Sequence, residues 1–161
     1  MKKKVKLKEE SFRLSFINPY EMNYFNHVWH QIAPIVEKSL PYADGKYTLE
    51  DIYINIINKQ MQLWVVSGSD EGPYSICITK MVNYPQKKVL NIMFCAGKHL
   101  PVWVHYIESL KEFARNNQCD AIEEYGRQGW SRYLEKWGFE TLYTVCRYNL
   151  TTDEGARSLS K

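Results

Sequence analysis

The stretch KKVLNIMFCAGKHLPVW (87–103) runs from two lysines through an apolar segment to a glycine, a short polar connection and a proline. Its apolar run, broken only by Asn91, predicts a strand that is covered on both faces and lies centrally in its sheet. Gly97 closes the strand. Pro101 opens a helix whose stripe is Trp103, Tyr106, Ile107, Leu110 and Phe113, ending near Asn116 and Asn117.

Upstream, QLWVVSG (62–68) and PYSICITKMV (73–82) read as two further strands, and SGSDEG (67–72) between them carries the residues of a turn joining antiparallel neighbours. Earlier still, Phe12, Leu14 and Phe16 alternate with polar residues, predicting a first strand with one buried face that ends near Asn18. Asn18 and Pro19 form a helix-start pair. Met22, Phe25, Trp29, Ile32 and Val36 then trace a long amphipathic helix towards Leu40, interrupted by Pro34. After the loop PYADGKY (41–47), Thr48 and Asp51 have the spacing of a capping box. Leu49, Ile52, Tyr53 and Ile56 supply the stripe of a second helix.

Downstream, CDAIEEYG (119–126) predicts a short strand. Trp130, Tyr133, Leu134 and Trp137 fall at i, i+3, i+4 and i+7, a one-sided helix that Gly138 would close in a left-handed conformation, with Phe139 making the closing contact. ETLYTVCRYNL (140–150) predicts a last β segment. The order β-α-α-β-β-β-α-β-α-β describes an α/β domain, a mixed, mostly antiparallel central sheet flanked by helices. It divides into a basic extension (1–10), one domain (11–150) and a polar tail (151–161).

Composition agrees with a folded domain. The chain has 161 residues, 45% of them hydrophobic and 14% aromatic, enough for one core without disulfides or metals. Lys2, Lys3, Lys4, Lys6 and Lys8 supply five charges of the net +3, and without them the remainder carries a net −2. That argues against specific nucleic-acid binding, and the lysines alone would bind a polyanion only nonspecifically. Cys77, Cys95, Cys119 and Cys146 lie apart inside apolar runs and read as buried reduced thiols, which points to a cytoplasmic setting. No run approaches the ~20 apolar residues of a membrane span.

The order of elements, together with LEKWGFE (134–140), resembles the GNAT N-acetyltransferase superfamily over about residues 11–150. YADGKYTLEDIYINIINKQMQLWVV (42–66) and YGRQGWSRYLEKWGF (125–139) look more specifically like small GNAT-like proteins of tailed bacteriophages. The resemblance implies transfer of an acetyl group from acetyl-CoA to an amine on a small molecule or a protein. It implies that the cofactor enters where the central strand splays from its neighbour, with its pyrophosphate at the N-terminus of the next helix. Phe94, Cys95, Ala96, Gly97, Lys98, His99 and Leu100 would line it, with Arg127, Gly129 and Trp130 from the second loop. An alternative is a GNAT-fold phage protein without catalysis, a scaffold bound to a virion or to a phage or host partner. The setting is then host cytoplasm or virion.

Two departures bear on activity. The family's Arg/Gln-x-x-Gly-x-Gly/Ala run is replaced by CAGKHLPVW (95–103), in which only Gly97 remains and Pro101 offers no amide hydrogen. Lys98 and His99 supply charge but no amide cradle. The family's tyrosine, which protonates the departing thiolate, corresponds to Leu134, with Tyr133 one residue earlier and turned about 100° around the helix. Tyr133 is the candidate acid.

Glu123 is the candidate general base; Glu124 beside it points to the other face of the strand, so at most one of the two can serve a cleft. Gly126 and Gly129 are read as the hinges of a tight turn presenting Arg127. His27 and His30, at i and i+3, lack further ligands and read as ordinary helix positions.

Overall fold

Residues 63–66, 75–79 and 89–92 are buried in unbroken succession along three strands. Successive strand residues face opposite sides, so only a sheet covered on both faces buries them all. The computed structural model describes residues 12–68, 72–98, 103–126 and 128–151, apart from the side chains of residues 103–105 and 128. His99, Leu100, Pro101 and Arg127, the basic extension and residues 152–161 lie outside the described residues. The chain divides into two compact units, Met1–Tyr125 and Gly126–Lys161.

The first unit holds a five-stranded sheet of β1 (Phe12–Ile17), β2 (Gln62–Gly68), β3 (Pro73–Asn83), β4 (Lys88–Gly97) and β5 (Ala121–Glu124), in that spatial order. β1 to β4 are antiparallel neighbours, and β5 lies parallel to β4 after a helical crossover. β4 therefore occupies the inner position expected of it. On one face, Phe25, Ile32 and Val36 of α1 (Met22–Ser39) and Ile52 and Ile56 of α2 (Leu49–Ile57) pack on Leu63, Val65, Ile76, Ile78 and Phe94. On the other, Leu110, Tyr106 and Phe113 of α3 (Trp103–Asn116) pack with Trp64, Val66, Cys77 and Ile92. Each large side chain buried in this way contributes about 1.5–3 kcal/mol.

Local signals set several boundaries. The capping box forms as expected: Thr48 N–H donates to Asp51 Oδ2 at 2.8 Å, and Asp51 N–H donates to Thr48 Oγ1 at 3.1 Å. The Asn18 signal works differently. Its Oδ1 accepts from Tyr20 N–H in a local turn, and α1 begins only at Met22. An asparagine that closes its own turn is not free to cap a helix further on. Pro34 is accommodated inside α1 without ending it. In β1, Phe12 and Leu14 face the α3 side, whereas Phe16 is 45% exposed and Ile17, on the opposite face, is the fully buried residue.

In the second unit, α4 (Gln128–Glu135) ends as its glycine predicts. Gly138 has φ +87°, Phe139 N–H donates to Leu134 O, and Gly138 N–H donates to Glu135 O, the paired bonds of a left-handed helix stop. Leu134 is buried, but Trp137 is 42% exposed, because the helix has already closed and the stripe does not extend to it. The expected last β segment is absent. Residues 141–149 form no ladder, and Leu142, Tyr143, Val145 and Tyr148 are exposed. Alternation supplies strand propensity, but a strand exists only as part of a ladder, and residues 141–149 join none. Cys146, expected buried, is exposed for the same reason.

Candidate functional site

β4 and β5 pair only from Val89↔Ala121 to Ile92↔Glu124. β4 then continues to Gly97 with no strand on that side among the described residues. Its alternate N–H and C=O groups there lack a ladder, and such groups call for a partner.

A bulge coincides with the point of separation. Ile78 faces Phe94 while Thr79 faces Ile92, so Met93 has no opposite residue on β3. The extra residue turns the strand: Met93 and Phe94 both join the α1 and α2 side, Cys95 turns to the α3 side, and Ala96 returns. Phe94 is 7% exposed and meets the Tyr47 ring edge-on at 5.8 Å.

Gly97 terminates the strand where only glycine fits. Its φ is +115°, and a Cβ there would lie 2.3 Å from Tyr74 O and 2.6 Å from Ser75 Cα. The next amide, Lys98 N–H, donates to Tyr74 O at 2.8 Å, so this end of β4 stays fastened to β3 while its other side is open.

The two glutamates of β5 have different surroundings. Glu123 Oε2 accepts from Tyr125 Oη at 3.3 Å, and Glu123 stands opposite Asn91, whose buried Oδ1 has no hydrogen-bond partner in the structure. Glu124 ends β5 on the α3 side, with Ile122 two residues before it. Burial pushes its carboxyl from the usual 4.5 up to about 7, the range of a general base near neutral pH. The alternation of Ile122 with Glu124 signals that face in the sequence, but not the depth of burial that tunes the acid.

The structure thus brings Phe94, Cys95, Ala96, Gly97 and Lys98 together on one strand end, with Glu123 and Glu124 on the strand that stops beside it. Trp130 and Tyr133 belong to α4 of the second unit, where their rings meet edge-on at 5.6 Å. Gly129 lies within α4, has no positive φ, and a Cβ there would meet nothing within 4 Å. It is not the strained hinge that its place in YGRQGW suggested. His27 and His30 are both exposed on α1, and no group of three or more metal-ligating side chains occurs among the described residues. Among those residues no helix is long and apolar enough to cross a membrane.

No family model and no curated protein sequence matches the chain. Solved structures do match its fold. A probable acetyltransferase superposes with a TM-score of 0.64 at 14% identity, over 86% of this chain and 96% of the other. AAC(6')-Iy, solved with the bisubstrate analogue CoA-S-monomethyl-acetylneamine, matches with a TM-score of 0.64 at 12% identity, over 86% and 97%. A predicted acetyltransferase from Clostridium acetobutylicum, solved with acetyl-CoA, matches with a TM-score of 0.60 at 8% identity, over 88% and 97%. The chain has the GNAT acetyltransferase fold, an open five-stranded, mostly antiparallel α/β sheet flanked by helices.

Proposed function

We propose that this protein is a GNAT-like N-acetyltransferase that holds acetyl-CoA along the open edge of β4 and acetylates an amine. The observation that carries the reading is the length of β4 from residue 93 to 97 that is open on the β5 side, beginning beside a carboxyl group that burial pushes up to about 7. The pantetheine arm of acetyl-CoA carries amides, and an open strand edge receives amides as it would receive another strand. β5 stops at Glu124, opposite Ile92, and leaves this edge clear. Phe94 to Lys98 would hold the arm, and Lys98 is the cation nearest to hand for its phosphates. Bound there, acetyl-CoA supplies an activated thioester.

Glu124 is the proton acceptor favoured by its surroundings; at neutral pH a substantial part of its carboxyl is ionised and can take a proton from an ammonium acceptor. Glu123, engaged by Tyr125, suits that role less. Aminoglycoside acetyltransferases among the similar structures make a small polyamine a reasonable first acceptor to assay. The connection after Gly97 has no glycine-rich amide cradle, so binding should be weaker than in enzymes that possess one, each missing hydrogen bond costing about 1 kcal/mol. The same feature favours a second reading, a phage-encoded scaffold that keeps the fold and has lost the cofactor.

Calorimetric titration with acetyl-CoA, repeated on Glu124→Gln, separates the two. Micromolar or weaker binding that survives Glu124→Gln, with acetylation lost, is the outcome expected of the enzyme. Absence of binding at millimolar acetyl-CoA would leave the scaffold.

A further inference from the structure

Cys77 of β3 and Cys95 of β4 stand directly opposite each other in register, and both face the α3 side of the sheet. The hydrogen-bonding phase of this pair of strands is fixed by Lys98 N–H donating to Tyr74 O. That bond makes 74 and 98 a hydrogen-bonded pair, and such pairs alternate along an antiparallel ladder. Ser75↔Gly97 is therefore non-hydrogen-bonded, Ile76↔Ala96 bonded, and Cys77↔Cys95 non-hydrogen-bonded again. At such a site the Cα atoms lie about 4.5 Å apart with side chains at their closest, within the range of about 4.4–6.8 Å that a disulfide spans. The bulge lies beyond Phe94 and leaves this register intact.

Burial divides the roles. Cys77 is 1% exposed, whereas Cys95 is only half-buried. A hydrogen bond between the Cys77 and Cys95 thiols that favours the protonated Cys77, followed by burial and by the neighbouring charges of Cys95 and Glu124, raises the pKa of the Cys77 thiol well above its usual value. Glu124 is the titratable carboxyl facing the pair.

We propose that Cys77 and Cys95 are an oxidisable cross-strand dithiol, a modification site in which a peroxide converts the facing thiols into a disulfide fastening β3 to β4. Cys95 sulfur attacks the peroxide; the O–O bond breaks, one water (or alcohol) leaves, and Cys95 becomes a sulfenic acid. Cys77 sulfur then attacks Cys95 sulfur. The S–S bond forms as the S–O bond breaks, and the second water departs with the Cys77 proton. The two thiols lose two electrons and the peroxide gains them. The first step takes place on the solvent side and the second inside, so Cys77 acts as resolving thiol without itself meeting the oxidant. This inference does not depend on acetyl transfer.

The test is oxidation of the full chain, still folded, with hydrogen peroxide, then alkylation of remaining thiols under denaturing conditions and peptide mapping without reductant. The expected product is a Cys77–Cys95 bridged peptide lacking two hydrogen atoms, released by dithiothreitol. It should form undiminished in Cys119→Ser/Cys146→Ser. In Cys95→Ala, chosen because the half-buried position tolerates truncation, Cys77 should remain fully alkylatable, with the fold checked by circular dichroism. Bridges to Cys119 or Cys146 from the folded protein, or Cys95 driven to sulfinic acid while Cys77 stays a free thiol, would overturn the proposal.

Discussion

Trp64 donates its indole N–H to Thr79 Oγ1 at 3.1 Å, and Thr79 in turn donates to Gln62 Oε1 at 2.9 Å. Thr79 is fully buried between β2 and β4, so its hydroxyl is the relay that lets a tryptophan nitrogen sit inside the sheet. Thr79→Val preserves the shape and strands that nitrogen. The expected loss is about 1–3 kcal/mol in urea denaturation. A neutral result would show that the indole finds another acceptor.

Glu124 should give stability a pH dependence of defined sign. Unfolded, its carboxyl ionises near 4.5; folded, burial holds the proton up to about 7. The folded protein therefore binds more protons across that window. The stabilisation is fully present below 4.5 and is lost as pH rises through about 7. The change is on the order of 3 kcal/mol at most, at about 1.4 kcal/mol per pH unit, and less where water reaches the carboxyl. Denaturation midpoints from pH 4 to 8 should show it, and Glu124→Gln should flatten that slope.

Two glycines should respond oppositely to alanine. Gly97→Ala forces a Cβ against Tyr74 O at a left-handed φ, and a loss of about 2 kcal/mol or more is expected. Gly129→Ala, inside α4 with open space around it, should gain about 0.5–1 kcal/mol. Thermal melting of both variants decides this, and a destabilised Gly129→Ala would restore the tight-turn reading of YGRQGW.

Leu134→Ala and Trp137→Ala should also part company. Leu134 is buried and its truncation should cost about 2–5 kcal/mol, while the exposed Trp137 should cost under about 1 kcal/mol. Equal losses in a denaturant series would mean that Trp137 packs after all.

Strands and helices that announce themselves by period were legible in the sequence. The stripe of α1 and the capping box of α2 follow from spacing alone, and Gly138 marks the end of α4 as its position suggests. The position of β4 could be read because seven apolar residues need cover on two sides. Asn18 misled because a side chain can close either a turn or a helix, and only the chain's path decides which. Residues 140–150 misled because alternation records what a strand would like, not whether an edge awaits it.

The site was partly legible. The strand-to-helix punctuation marks where β4 ends, and the resemblance supplied residues 94–100 as a candidate lining, but the bulge could not be read, since Met93 is as apolar as its neighbours and its extra count shows only against β3. Choosing between Glu123 and Glu124 needed the depth of each carboxyl, a property of what packs over the strand. The facing of Cys77 and Cys95 likewise depends on a register that no single strand encodes.

The strand order also bears on how the molecule comes into being. β2, β3 and β4 are joined by connections of few residues, so their ladders close at little loop entropy and should form early. β5 must wait for α3 to cross over, and it is held by only four register pairs. Amide hydrogen exchange should accordingly be slowest in β3 and quickest, among the strands, in β5. The open edge of β4 would then be a leftover of assembly order, a seam which the last strand reaches and does not finish closing.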